Sequence, residues 1–407
     1  MTADYRVGDV FDRLAEIPDG SVDLVLTSPP FLALRSYLPA DHPDKGKEIG
    51  SEPDPAAFID TLLALTAEWV RVLAPHGSMA VELGDTYSGS SSGGGDLIAG
   101  SGSFDGKKIA AAADNGIQST RRAGKSWPRG KSLALIPELY RIALSYGVHP
   151  LTGQPSPAGK LIVRNVVRWH RPNPPVGALG DKYRPSTSDM VIACTSAKRW
   201  FDLDAVRTPH ADHTLKYNGG TRPHTGERGG QGTVKEMAEG AMSNPAGAPP
   251  LDTWTIPTAP YKGSHYATFP PQLCTIPIQS MCPQHVCVTC GEPRRRIVEP
   301  TAEYANRPNA GRDFLGTSHD RGKGMSAEAP YRSGSDPSRV GASFTTLDWT
   351  DCGHNTWRNG VVLDPFAGSG TTLMVANGNG RDSIGIDIDE RNAELAYGRL
   401  GMFLTTS

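Results

Sequence analysis

Residues 361–372 read Val-Val-Leu-Asp-Pro-Phe-Ala-Gly-Ser-Gly-Thr-Thr. An apolar run stops at Asp364, and a turn of small residues opens around Gly368-Ser369-Gly370. That order predicts a strand feeding a glycine loop and then a helix, an arrangement that brings bare backbone and a helix N-terminus up to a ligand. Ser383-Ile384-Gly385-Ile386-Asp387 predicts the next strand, with an acid at its end. A carboxylate there can accept both hydrogen bonds of a ribose diol. The loop has no Lys-Ser/Thr pair to reach a triphosphate, which excludes an ATPase of the phosphate-loop kind. A chain carrying this unit is committed to a sheet whose ligand sits at the carboxyl ends of parallel strands.

Residues 22–31, at the other end of the chain, read Val-Asp-Leu-Val-Leu-Thr-Ser-Pro-Pro-Phe. Here too an apolar strand runs into a polar residue, Ser28. Pro29 and Pro30 have fixed φ and no N–H, so their carbonyls can be held outward as acceptors. Phe31 offers a flat face to a base. A loop that only had to end a strand would not call for this combination.

Together the two motifs resemble the amino-methylating DNA methyltransferases. These enzymes carry (Asp/Asn/Ser)-Pro-Pro-(Tyr/Phe/Trp) as catalytic motif and Asp-Pro-Phe-x-Gly-Ser-Gly-Thr as S-adenosylmethionine motif. The catalytic motif comes first here, the order of the circularly permuted beta class. Weaker blocks extend the likeness: Val7-Gly8-Asp9, Gly77 to Tyr87, Trp169-His170-Arg171-Pro172-Asn173-Pro174-Pro175, and His265-Tyr266-Ala267-Thr268-Phe269-Pro270. The resemblance implies catalytic roles for Ser28, Pro29, Pro30 and Phe31. It implies cofactor contacts from Asp9, Phe269, Asp364, Pro365, Phe366, Gly368, Ser369, Gly370, Thr371 and Asp387. Within the family, Ser-Pro-Pro accompanies cytosine-N4 methylation and Asp-Pro-Pro adenine-N6, so cytosine-N4 is the expected product and adenine-N6 the alternative. The chain departs from the family pattern at Glu82 (commonly Asn), Arg171 (commonly Lys) and Ser188-Asp189 (commonly His-Glu).

The chemistry asks for these residue types. An exocyclic amine is a poor nucleophile that must be held in line with the methyl donor. Acceptors such as the Ser28 hydroxyl and Pro29 carbonyl serve that purpose, and Phe31 can stack on a base taken out of the duplex. Of the six cysteines only Cys282 neighbours a proline, and it precedes it, so a Pro-Cys nucleophile for ring-carbon methylation is excluded. A nucleotide-cofactor oxidoreductase would use the same glycine loop but gives Ser28–Phe31 no role. A non-catalytic zinc-containing DNA-binding module is the remaining rival.

At 407 residues, with 41 Lys plus Arg against 43 Asp plus Glu, the chain is long enough for more than one unit and has no global basic field. It has neither an apolar run long enough to span a membrane nor an N-terminal signal pattern, so the expectation is a cytoplasmic protein of bacterial or phage origin. Strands are predicted near 5–9, 22–27, 77–83, 161–169, 189–195, 360–364 and 382–387, and helices over 55–74, 132–146, 371–378 and 389–401. Their alternation predicts a doubly wound, Rossmann-like α/β sheet, circularly permuted, with loop-rich inserts and a zinc knuckle. The loops are 88–103, 209–250 and 301–347, rich in Gly, Ser or Pro or lacking periodicity. The expected division is 1–208 for the catalytic part of the core, carrying a basic insert at 88–130. Residues 209–262 are assigned to target recognition, 263–281 and 355–407 to the cofactor part, and 282–354 to a zinc-tied insert.

Cys287-x2-Cys290 and Cys352-x-His354 form two short clusters of the right spacing for one tetrahedral zinc, with Cys282 and His285 as alternative ligands. Cys194 and Cys274 read as core residues. The expected macromolecular ligand is double-stranded DNA. Arg121, Arg122 and Lys125 are candidates for phosphate contacts, and Arg222 and Arg228 for base contacts. A second copy of the chain and a cognate restriction endonuclease are further candidate partners.

Overall fold

The computed structural model describes residues 1–34, 36–89, 124–174, 181–208, 247–258, 269–300, 344–401 and 404–406. The chain divides into two compact units: residues 1–201, 252–294 and 352–407 form one, and residues 202–251 and 295–351 the other.

The larger unit is built on β1 (Ala3–Val7), β2 (Val22–Thr27), β3 (Leu73–Leu83), β4 (Ile162–His170), β5 (Thr187–Cys194), β6 (Thr253–Thr255), β11 (Val361–Asp364), β12 (Asp382–Asp387) and β13 (Leu404–Thr406), joined in the order β13-β1-β12-β11-β2-β3-β5-β4-β6. From β13 to β3 every pairing is parallel, while β5 runs antiparallel to both neighbours. Its helices are α1 (Val10–Ala15), α2 (Pro55–Val72), α3 (Ile136–Tyr146), α4 (Pro271–Met281), α5 (Thr371–Gly378) and α6 (Glu390–Leu400).

All six residues of β2 are buried, as in a central parallel strand covered on both faces. Alternation along the strand sends successive side chains to opposite layers. Val25 joins Met79, Val81 and Val191 beneath Leu62, Trp69 and Tyr140 of α2 and α3. Leu24 and Leu26 join Ala80 and Ile192 beneath Leu273 and Ile278 of α4 and Val375 of α5. Asp54 starts α2 by accepting a bond from Ala57 N at 3.0 Å, with Pro55 in the first turn. The Thr66 and Tyr140 hydroxyls, 2.7 Å apart, tie α2 to α3.

From β11 the chain winds through α5 to β12; from β2 it winds through α2 to β3 on the other side. The reversal between β11 and β2 is a switch point, where ligands of open α/β sheets bind. It sets Asp364, where the glycine-loop motif begins, beside Thr27, which leads into Ser28–Phe31.

The predicted strands and helices are present with ends shifted by a few residues. Helices α1 and α4 were not anticipated, nor were β6, β13, or the pair β7 (His285–Cys287) and β10 (Trp357–Asn359). In the smaller unit, β8 (Arg296–Pro300) and β9 (Phe344–Trp349) form an antiparallel pair, so the end of the 301–347 stretch read as loop is strand. Arg296 bonds Asp202 at 2.6 Å within the same unit.

Candidate active site

Asp364 closes β11 and is 1% exposed. Its carboxylate accepts bonds from Thr27 Oγ1 at 2.8 Å, Thr372 Oγ1 at 2.6 Å and Phe366 N at 3.1 Å. One side chain thus joins β2, β11 and the first turn of α5. Burial pushes its pKa up to about 6, although the two hydroxyls and the Phe366 amide oppose the shift.

Beyond it the loop turns through left-handed conformations at Gly368 (φ 49°) and Gly370 (φ 76°), which glycine adopts at little cost. Asp387, at the end of β12, accepts Gly368 N at 2.8 Å on one oxygen. The other oxygen accepts Asp389 N at 2.8 Å and Asn392 Nδ2 at 3.0 Å. Burial raises the Asp387 pKa to about 6, against these hydrogen bonds. The Tyr5 hydroxyl donates to Gly368 O at 2.6 Å. Behind the loop, Arg399 of α6 donates to Ser369 Oγ at 2.8 Å and Thr371 Oγ1 at 2.7 Å. The side chains of Ser369 and Thr371 are therefore buried against Arg399, and what they can present to a ligand is backbone. Pro365 is buried, Phe366 is half-buried against the α2 layer, and Phe269 packs on the α4 layer. Asp9, expected at the cofactor, caps α1 by accepting Phe11 N at 2.9 Å. Gly8 N bonds Asp387 O at 2.9 Å, so Asp9 does stand at the same edge of the sheet.

Ser28 follows Thr27 directly and donates its hydroxyl to Glu82 Oε2 at 2.6 Å. Glu82 lies on β3 and is 4% exposed. Burial raises its pKa, opposed by hydrogen bonds from Ser188 and Ser28 and by the charge of Arg171. Arg171 reaches Ser188 Oγ at 3.4 Å and stacks over Trp169, 5.0 Å from the ring centre. Glu82, Arg171 and Ser188, all departures from the family pattern, therefore form one connected group behind Ser28. Phe31 lies against the backbone of Gly84, where a Cβ would stand 2.5 Å from the ring. On the other side Gly50 (φ 92°) leaves room for Pro30 and Phe31, and Ala33 N bonds Gly50 O at 2.7 Å.

Cys287 ends β7 and Cys290 follows it, and Cys352 and His354 precede β10. Their ligating atoms all lie within 4.8 Å of one another. The alternative Cys282 is buried in the core and directs its thiol to Pro283 O. Cys194 and Cys274 are buried, as expected.

Lys125 is exposed, whereas Arg121, Arg122, Arg222 and Arg228 lie outside the described residues. The sequence reading missed the contributions of Thr27, Tyr5 and Arg399. Thr27 had a signal in its place next to Ser28; Tyr5 and Arg399 had none, since they reach the loop only through the folded sheet. Glu82 was visible only as a departure from the usual Asn.

A family model described as DNA methylase matches residues 22–288 and 353–398. Type II methyltransferase M.SfiI of Streptomyces fimbriatus is 29% identical over 204 residues, which covers 50% of this chain and 38% of that protein, well under two thirds of its length. Type II methyltransferase M.SmaI of Serratia marcescens is 22% identical over 97% of this chain and 89% of its own. Among solved structures, the PvuII DNA methyltransferase (cytosine-N4-specific) aligns over 98% of this chain and 86% of that one, at 13% identity and a TM-score of 0.46.

Proposed function

The chain belongs to the DNA methylase family, and from that premise we propose that it methylates the exocyclic N4 amine of cytosine in double-stranded DNA, with S-adenosylmethionine as donor. The observation that carries the reading is the Thr27–Asp364 hydrogen bond of 2.8 Å. It makes the Ser28–Phe31 loop and the glycine loop neighbours at one switch point, as a two-substrate transfer requires.

The residues present fit the donor. The turn from Phe366 to Gly370 offers close backbone approach, and Asp387 is an acid at the end of the next strand, suited to a ribose diol. Bound there, S-adenosylmethionine supplies a methyl group on a sulfonium, whose departing sulfur keeps the electron pair.

The chain's own residues then act on the amine. Because the Ser28 hydroxyl donates to Glu82, its oxygen lone pairs are left to accept an N–H of the base. The Pro29 carbonyl can accept the second. Held by both, the amine nitrogen can pyramidalise and direct its lone pair at the methyl carbon. As the N–C bond forms the nitrogen becomes cationic, and its proton can pass to Ser28 Oγ while Ser28 passes its own to Glu82. Phe31, wedged on Gly84, would stack on the extruded base. Ser28 in place of Asp supports cytosine over adenine.

The Type II names of the relatives support a modification role beside a cognate endonuclease. The test is mass spectrometry of nucleosides from unmethylated DNA incubated with the protein and methyl-labelled S-adenosylmethionine. Labelled N4-methylcytosine is expected. Labelled N6-methyladenine would overturn the choice of base, and no label despite bound donor would overturn methyl transfer to DNA.

A further inference from the structure

We propose that Cys287, Cys290, Cys352 and His354 hold one structural zinc ion, which fastens the β7–β10 ribbon and so fixes the strand that leads into Asp364. The inference stands independently of methyl transfer.

The donor atoms are placed for it. His354 Nδ1 lies 3.4 Å from Cys352 Sγ and 3.6 Å from Cys287 Sγ. A tetrahedral zinc with thiolate and imidazole ligands at ordinary bond lengths would set such atoms about 3.6 to 3.8 Å apart. Three sulfurs and one nitrogen complete the coordination, leaving no open position for a water or substrate. That is the pattern of a structural site.

The backbone is shaped for it as well. After Cys287-Val288-Thr289-Cys290 the chain turns at Gly291 (φ 71°), whose N–H bonds Cys287 O at 2.9 Å. Between Cys352 and His354 it turns at Gly353 (φ 81°). Both clusters are thus tight glycine turns that point their donors together. The ribbon they end is small: three residues of β7 face three of β10, extended by Val288 N to Thr356 O at 3.0 Å. Strands this short are not self-supporting, and of this ribbon only Val286 and Cys287 are buried. A metal supplies the cross-link that the apolar contacts do not.

The ribbon also has a task within its unit. Arg358 of β10 forms a two-pronged pair with buried Asp23 of β2, at 2.6 and 3.0 Å. Asp23 accepts Val361 N at 2.8 Å as well. Gly360 carries the chain past the Pro283 carbonyl with no room for a side chain. From there β11 runs four residues to Asp364. The metal would hold the lead-in of the strand that carries the cofactor loop. The two ligand pairs flank residues 291–351 in sequence, so the metal would tie the two ends of that segment together.

The first test is metal content of the full chain, purified without chelator, by plasma mass spectrometry. About one zinc per chain is expected. Metal-free protein reconstituted with Co2+ should show the visible bands of tetrahedral cobalt and a thiolate charge-transfer band. Cys290→Ser and Cys352→Ser should lower zinc to under about a tenth of the wild-type content, while Cys274→Ser and Cys194→Ser should keep it. Folded wild-type protein without zinc and without the cobalt bands would overturn the site. So would zinc that persists in the Cys290→Ser and Cys352→Ser proteins, or a disulfide among the three cysteines found by mass in freshly isolated protein. If the variants fail to fold, the wild-type content and the cobalt spectrum still decide.

Discussion

Ser28 and Glu82 are joined by a hydrogen bond, and the proposed chemistry gives each a distinct experimental signature. Ser28→Ala removes the oxygen that would hold the amine. It should lower kcat by roughly a hundredfold or more, on the scale of lost acid–base groups, while leaving donor binding in a calorimeter unchanged. In the proposed chemistry Glu82 serves Ser28 only when ionised, and burial raises its pKa. Activity should therefore fall toward acid with a midpoint above the ordinary glutamate value of about 4.3. In Glu82→Gln the rate should be low throughout and this acid limb absent; a limb that survives in the variant would assign it to another group. Asp364 gives a stability signature of opposite sense to acid denaturation. Its folded pKa of about 6 exceeds the unfolded value of about 3.9, so the folded state binds its proton more tightly. That contribution favours the fold below about pH 4 and is lost as pH rises through about 6, a change of roughly 3 kcal/mol. Urea melts from pH 4 to 7 should show this decline in the wild type and a flatter profile in Asp364→Asn.

Between elements, the close approach of α5 to β12 depends on Gly385. A Cβ there would stand 2.8 Å from Ala367 Cβ and 2.9 Å from Leu373. Gly385→Ala should cost about 1–3 kcal/mol by overpacking, measurable in denaturant melts, and should weaken donor binding by moving the glycine loop. Legibility also divides at this scale. The strand over 22–27, the helix over 371–378 and the strand over 382–387 were readable to their ends, because each couples a short apolar core (Leu24-Val25-Leu26, Leu373-Met374-Val375-Ala376, Ile384-Gly385-Ile386) to a polar or glycine stop. Helix α4 was not, since it holds Pro277 inside, which as a local signal argues against a helix. Its stability comes from Leu273 and Ile278 packing on the sheet, a tertiary gain that propensity does not register. The turn at Ser369 and Thr371 was visible from its own residues, but Arg399, which bonds both side chains from behind, was not. The ribbon strands were too short to show any period, whereas the cysteine spacing that ends them was plain.

For the larger unit as a whole, the decisive pairing joins the chain's beginning to its end. β1 lies between β12 and β13, with Ala3 opposite both Ser383 and Leu404. Deleting residues 1–8 would leave β12 and β13 without their shared neighbour and remove Tyr5 from Gly368. We expect such a protein to lose donor binding and to melt well below the full chain by circular dichroism, while β2, β3 and α2 keep their own packing. The same adjacency governs how the molecule comes to be folded. On the ribosome, β1 and the β11-facing edge of β2 emerge long before β11, β12 and β13 and find no partner until those strands appear. The contacts that complete the site thus span nearly the whole chain, and contacts of that span form slowly. Until then both edges of β1 and one edge of β2 stay open to strangers, so the yield of soluble protein should depend on elongation rate and chaperone supply as much as on final stability.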